Sequence, residues 1–235
     1  LFTYWTALHG DLLHQSPDEK VREKAGDYMA LMTPVVKAFL TDRGLKACND
    51  ALQLHGGSGF TREWGMEQFV RDVRITLIYE GTNGIQAIDL VGRKLGMANG
   101  KAMADMLGDV RATAQAARET NDPQLVQIAD RLVAAADALE EATGWMVETM
   151  KADRDKGLAS ATAYLKLAGD VIGGHFLTRG AVAARTEGGT MRGRMTALAG
   201  FFAETALAEA PGRVSGITRG GDSFLSESEA LFGLA

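Results

Sequence analysis

The chain has 235 residues, of which 25 are Lys or Arg and 30 Asp or Glu, giving a formal net charge of −5, and 46% of its residues are hydrophobic. This is the make-up of a globular protein with one or two domains and a substantial core, not of a disordered chain or a fibre. The acidic balance disfavours binding to a phosphate backbone as the main activity, and no uninterrupted apolar run reaches the roughly 18 residues of a membrane span, so neither nucleic acid nor membrane is an expected partner.

The opening Leu1-Phe2-Thr3-Tyr4-Trp5 does not begin with Met and lacks the basic flank, apolar run and cleavage site of a signal peptide, so the expectation is a segment of a longer chain. One cysteine, Cys48, allows no internal disulfide and reads as a small core residue in a reducing, cytoplasmic compartment. From Pro17 to Leu40, Val21, Ala25, Tyr28, Met29, Met32, Val36 and Phe39 recur at helical spacing, after a Ser16-Pro17 cap signal followed by Asp18 and Glu19. Pro34 predicts a kink or a division of that helix, and Gly44 a junction before a second helix over Leu45 to His55.

The run Gly56-Gly57-Ser58-Gly59 is a strong break, followed by a short helix around Met66 to Val73. Ile75 to Tyr79 is β-branched enough for a strand, but no strand partner stands nearby, and a helix end with a turn is preferred. A further helix carries Ile85, Ile88, Leu90, Val91 and Leu95 and fades over Gly96 to Gly100. That stretch is the expected boundary between two units, 1–98 and 101–235. The second unit reads as helices over 101–119, 122–153, 158–185 and 190–209 packed as a bundle, then a glycine-rich loop over Pro211 to Gly221 and a short amphipathic end from Phe224 to Leu234. The fold class is therefore all-α.

Two motifs carry chemistry. In Gln53-Leu54-His55-Gly56-Gly57-Ser58-Gly59-Phe60 a helix ends in glycines, where the lack of Cβ atoms lets backbone amides approach a phosphate or a flat ring. A plain structural loop explains the same cluster. In Tyr79-Glu80-Gly81-Thr82-Asn83-Gly84-Ile85-Gln86 one carboxylate sits on a turn at a helix start, a perch that suits a general base. On residue chemistry alone a solvated carboxylate beside a cap is the preferred reading. His9, His14, His55 and His175 lack metal-ligand spacing, so no metal is expected. Trp64 reads first as a packing residue, and Arg71-Asp72 as an ion pair supporting the turn before Glu80.

Taken together, in this order, Gln53 to Phe60, Arg71-Asp72, Ile78 to Thr82 and Ile85-Gln86 resemble the C-terminal helical domain of the acyl-CoA dehydrogenases. The resemblance extends diffusely back to residue 1. It implies that Glu80 removes the α-proton of an acyl-CoA thioester while the β-hydride passes to N5 of FAD, giving a trans-2-enoyl-CoA. The thioester carbonyl would be polarised by the Glu80 amide and a flavin ribose hydroxyl, and Gly81 would line the substrate. FAD contacts carry over to Gln53, Leu54, His55, Gly56 and Gly57, toward the flavin of a partner subunit, and to Thr82, Asn83 and Gly84. Many family members have Gln or Glu where this chain has Gly84, leaving only a backbone contact there.

Residues 101–235 resemble the additional helical domain of large bacterial members, including the 3-methylmercaptopropionyl-CoA dehydrogenases, whose Asp-Leu-Val-Gly-Arg-Lys-Leu run stands here as Asp89 to Leu95. The resemblance further implies a homodimer or homotetramer, an electron-transfer flavoprotein as acceptor, and N-terminal helical and middle β-domains that this chain does not contain. Competing readings are an acyl-CoA oxidase, an assembly and FAD-holding module inactive by itself, and a DNA-associated flavoprotein relative.

Overall fold

A computed structural model describes residues 1–187 and 189–233, and among them there are helices and turns but no strand. The first two helices, α1 (Phe2–Gln15) and α2 (Glu19–Leu54), pack together, the shorter α1 covering part of α2. Tight turns over Gly56–Phe60 and Arg62–Trp64 lead into α3 (Met66–Arg74), and a further turn at Ile75–Leu77 precedes α4 (Asn83–Asp89), which continues as a π-helical stretch over Leu90–Lys94. The helix end and turn expected at Ile75 to Tyr79 are what the structure shows. Three successive left-handed residues, Ala98, Asn99 and Gly100, then reverse the chain into α5 (Lys101–Glu119). Beyond it lie α6 (Pro123–Ala152), α7 (Arg154–Glu187), α8 (Gly189–Phe202), α9 (Ala210–Ser226) and α10 (Ser228–Phe232).

Several expectations need correcting. The helix cap is Asp18, whose carboxylate accepts from the Lys20 N–H at 2.9 Å, while the Ser16 hydroxyl only accepts from the Asp18 N–H at 3.3 Å. Pro34 does not divide α2, which runs unbroken for 36 residues. Its interior proline forfeits one backbone hydrogen bond, a loss of about 3 kcal/mol in an isolated helix. Here Pro34 is buried among Leu31, Met32, Val35, Ala38 and Phe39, and that packing holds the helix together. Gly44 is not a junction either. It lies mid-helix where α3 crosses, and a Cβ there would come to 3.4 Å of Val73. The loop expected from Pro211 to Gly221 is helix α9, held by Ala210, Val214 and Ile217 in the core and by the Ser160 hydroxyl, which donates to the Ile217 carbonyl at 2.7 Å. Cys48 is half-buried rather than part of the core. The expected end at Phe224 to Leu234 is helical over Ser228–Phe232, and Leu234 lies outside the described residues.

The core explains how the helices assemble. One apolar cluster runs from Phe2 and Leu31 through Leu90 and Leu95 to Met106, Leu132, Leu165 and Ile217, so the residues on either side of Gly100 share it. The small residues of α7 allow close approach. Phe39 of α2 rests directly on Gly169, where a Cβ would fall 2.3 Å from the ring. Beside this contact, Asp170 has a side chain only 2% exposed and pairs with Arg43 of α2 and Arg213 of α9. Both cations are partly in water, so they neutralise the buried carboxylate while keeping much of their own hydration. On the far side, the Tyr28 hydroxyl of α2 donates to Asp109 of α5 at 2.7 Å.

His175 is buried on α7, and its Nδ1 finds no partner among the described residues. Burial pushes its imidazole down to about 4, aided by Arg179 and opposed by Asp109. An unfolded chain binds that proton near pH 6.5, so stability is lost as pH falls from about 6.5 toward 4, by about 2 kcal/mol at pH 5. His175→Leu is expected to lose less stability than the wild type between pH 7 and pH 5, read from urea unfolding at both values. An equal loss in the two proteins would show that the folded imidazole titrates normally.

Candidate active site

Both sequence motifs are placed by α2. Gln53 and Leu54 form its last turn, His55 and Gly56 follow, and all of Gln53 to Gly57 are exposed, Leu54 by 88%. The His55 ring is turned back onto its own helix, with Nδ1 2.9 Å from the Ala51 carbonyl. The glycines divide by role. A Cβ on Gly59 would meet the Leu52 carbonyl oxygen at 2.5 Å and the His55 Cβ at 2.7 Å, so this turn can only close with glycine. Gly57 is different: nothing lies within 4 Å of a Cβ there, and its φ is not positive. Folding of this chain gives no reason for Gly57 to be glycine, whereas a ligand lying against the backbone would.

The second motif forms a sharp turn in which Glu80 (φ +53°) and Gly81 (φ +86°) are both left-handed. A non-glycine residue in that region carries strain of about 1–2 kcal/mol, which surrounding contacts must hold. They do so from two helices. Gln86 Nε2 of α4 donates to the Glu80 carbonyl at 3.1 Å, and Lys37 Nζ of α2 donates to the Gly81 carbonyl at 2.7 Å. Thr82 caps α4, accepting from the Ile85 N–H at 3.4 Å. Asn83 is bound to α2, its Oδ1 accepting from Lys37 Nζ at 2.8 Å and its Nδ2 donating to Asp42 Oδ1 at 2.8 Å and Thr41 Oγ1 at 3.0 Å. The Asn83 side chain is thus engaged with the protein, and Gly84 is exposed.

With both carbonyls of the turn occupied, its other groups remain open. Among the described residues, the N–H groups of Glu80 and Gly81 and the Glu80 carboxylate have no hydrogen-bond partner. Glu80 itself is exposed. Partial burial draws the Lys37 ammonium below the ordinary lysine range, a shift that the nearby carboxylates of Asp42 and Glu80 oppose. The arrangement offers a carboxylate and adjacent N–H donors on a fixed backbone, the elements needed to take a proton and to polarise a carbonyl.

The structure separates the two groups of residues along α2. Asn83 docks at Thr41 and Asp42, and Gln53 lies eleven residues further on, roughly 16 Å along the helix axis. A cavity of about 710 Å³ between α2, α7 and α9 is lined by residues such as Phe39, Lys46 and Lys166, and by none of 53–57 or 80–84. Trp64, expected to pack, is 61% exposed. No Arg71–Asp72 ion pair forms among the described residues: neighbours on a helix point apart, and Asp72 instead accepts from Gln68 at 2.6 Å. Lys37 was missed in the sequence, although a single charge inside Pro34-Val35-Val36-Lys37-Ala38-Phe39-Leu40 is a signal that something must receive it.

Residues 106–226 match the family described as "Acetyl-CoA dehydrogenase C-terminal like", and residues 20–96 the one described as "Acyl-CoA dehydrogenase, C-terminal domain". The chain belongs to the acyl-CoA dehydrogenase family. It is 34% identical over 223 residues to 3-methylmercaptopropionyl-CoA dehydrogenase of Ruegeria pomeroyi, covering 93% of this chain and 38% of that protein. It is 32% identical over 221 residues to a broad-specificity linear acyl-CoA dehydrogenase of Mycobacterium tuberculosis, covering 87% of this chain and 35% of that one. A butyryl-CoA dehydrogenase of Syntrophomonas wolfei is 35% identical over 107 residues, 46% of this chain and 18% of that one. The chain thus spans little more than a third of the length of the acyl-CoA dehydrogenases it matches most fully.

The two motif glycines should respond differently to a methyl group. Gly59→Ala is expected to destabilise the chain by about 1–3 kcal/mol, as overpacking does, and Gly57→Ala to leave stability unchanged or slightly raised. Urea midpoints of the two variants check this, and an equal loss in both would remove the distinction drawn above.

Proposed function

We propose that this chain is the C-terminal part of an FAD-dependent acyl-CoA dehydrogenase, with Glu80 as the base that takes the α-proton of an acyl-CoA thioester. The observation that carries the proposal is the turn itself: an exposed carboxylate and unpaired N–H groups on a left-handed pair whose carbonyls are held from behind by α2 and α4. Removal of an α-proton needs the carbonyl polarised as the base acts, and the Glu80 N–H, next to its own carboxylate, suits that role. Gly81 presents backbone alone to the acyl chain. Closure of the site by other parts of the protein would exclude water and strengthen both interactions. The trans-2-enoyl-CoA follows once the β-hydrogen leaves as hydride.

The residues present fit FAD. Open backbone at Gly56 and Gly57, beside the exposed Leu54 and Phe60, suits a flat ring or a pyrophosphate. In this reading Gln53, Leu54, His55, Gly56 and Gly57 meet the flavin of a second copy, and Thr82, Asn83 and Gly84 the flavin beside Glu80, Asn83 through its backbone. FAD, when bound, supplies the hydride acceptor. Leu54, Phe60, Trp64, Phe69, Ile75 and Ile85 are all more than half exposed, an apolar surface that supports assembly as a homodimer or homotetramer with domains preceding this chain. Residues 1–98 and 101–235 act as two modules on a shared core, and an electron-transfer flavoprotein takes up the electrons. None of the described helices is long and apolar enough to cross a membrane.

The test uses the FAD-containing protein with a panel of acyl-CoAs under anaerobic conditions. Glu80→Gln is expected to slow flavin bleaching by about 100- to 10,000-fold with FAD still bound. Bleaching at the wild-type rate would place the base elsewhere. Absence of bleaching in both proteins would favour a module that holds FAD without turning over.

A further inference from the structure

Lys37 stands 43 positions before Glu80 in the sequence, yet it is the cation nearest the turn through its contacts. Its ammonium donates at once to the Gly81 carbonyl (2.7 Å) and to Asn83 Oδ1 (2.8 Å), bridging the residue after Glu80 to the start of α4. Asn83 extends the bridge back to α2 through Asp42 and Thr41. Thr41 closes the loop by donating to the Lys37 carbonyl at 2.7 Å. A charge-assisted bond to a carbonyl is stronger than a neutral one, and this one is partly removed from water. It acts on the Gly81–Thr82 peptide, one residue beyond the Glu80 carbonyl that Gln86 holds.

We infer that Lys37 is a positioning residue for the catalytic turn: by gripping the Gly81 carbonyl and Asn83 together, it holds Glu80 in its left-handed conformation and aims its carboxylate and N–H at the substrate. The inference rests on the reading of Glu80 as the base. Without the ammonium only Gln86 still holds a carbonyl of the turn, and Glu80 gains room to relax toward ordinary backbone angles, which turns the carboxylate away from the thioester. Misplacement of a reacting group by about 1 Å is enough for a 100-fold loss of rate. Lys37 touches neither substrate nor flavin in this scheme, so binding is spared while the chemical step suffers.

Three FAD-containing variants, Lys37→Met, Lys37→Arg and Glu80→Gln, test it beside the wild type. Stopped-flow flavin reduction is expected to slow about 10- to 100-fold in Lys37→Met, with the acyl-CoA concentration for half-saturation changed by less than about threefold, and to recover in part in Lys37→Arg, whose guanidinium still donates to two oxygens. Hydrogen exchange supplies a second readout that does not depend on turnover. Amides of residues 80–86 should exchange faster in Lys37→Met while those of α6, deep in the bundle, keep their protection, which also shows that the variant is folded. Unchanged reduction in Lys37→Met together with unchanged exchange at 80–86 overturns the inference. So does exchange that rises equally in α6, which would mark Lys37 as a general stabiliser. If Glu80→Gln reduces flavin normally, the reading of Glu80 fails, and the exchange result alone then decides whether Lys37 orders the turn.

Discussion

The site depends on α2 remaining one rod. Two helices in its place, broken at Pro34 or Gly44, would hold Lys37 and the anchors of Asn83 on one piece and the Gln53 to Gly57 end on another. Burial of Pro34 and its neighbours outweighs the missing hydrogen bond, and the result is a 36-residue helix that presents one face to the Glu80 turn and another to α7. Every residue assigned to the proposed chemistry is carried by that helix, by the turn docked on it, or by the glycine run at its end.

Around this rod, one region combines backbone strain with exposed apolar surface. Glu80 is among four non-glycine residues with positive φ in the described chain, and it follows directly on Ile78 and Tyr79, which are about half exposed. Within α5, α6 and α7, by contrast, the large apolar side chains point inward. A strained turn set in an uncovered apolar surface is the setting on which the proposed assembly rests.

The long amphipathic helices were legible because their pattern is local. Leu125, Ile128, Leu132, Ala136 and Leu139 lie on one buried face, and Asp122 caps α6 just before Pro123, accepting from the Gln124 N–H. The errors came where tertiary packing overrules local preference. Pro34 and Gly44 suggest breaks and α9 a loop, since proline and glycine disfavour helices in isolation; burial against α1, α3, α6 and α7 overcomes that preference at each place. Glu80 and the glycine run were found through a family resemblance, not through their own chemistry, which favoured a solvated carboxylate and a plain loop. Lys37 left a signal as a lone charge in an apolar run, but its partners are set by how α4 lies on α2.

Phe39 is seated on Gly169 and lies only two residues from Lys37. The spacing between α2 and α7 is therefore set at this point by the absence of a side chain on α7. A methyl group at residue 169 would have to displace the Phe39 ring, and the helix bearing it is the same one that grips the turn. The bundle after Gly100 thereby helps to set where Lys37, and the turn it grips, stand.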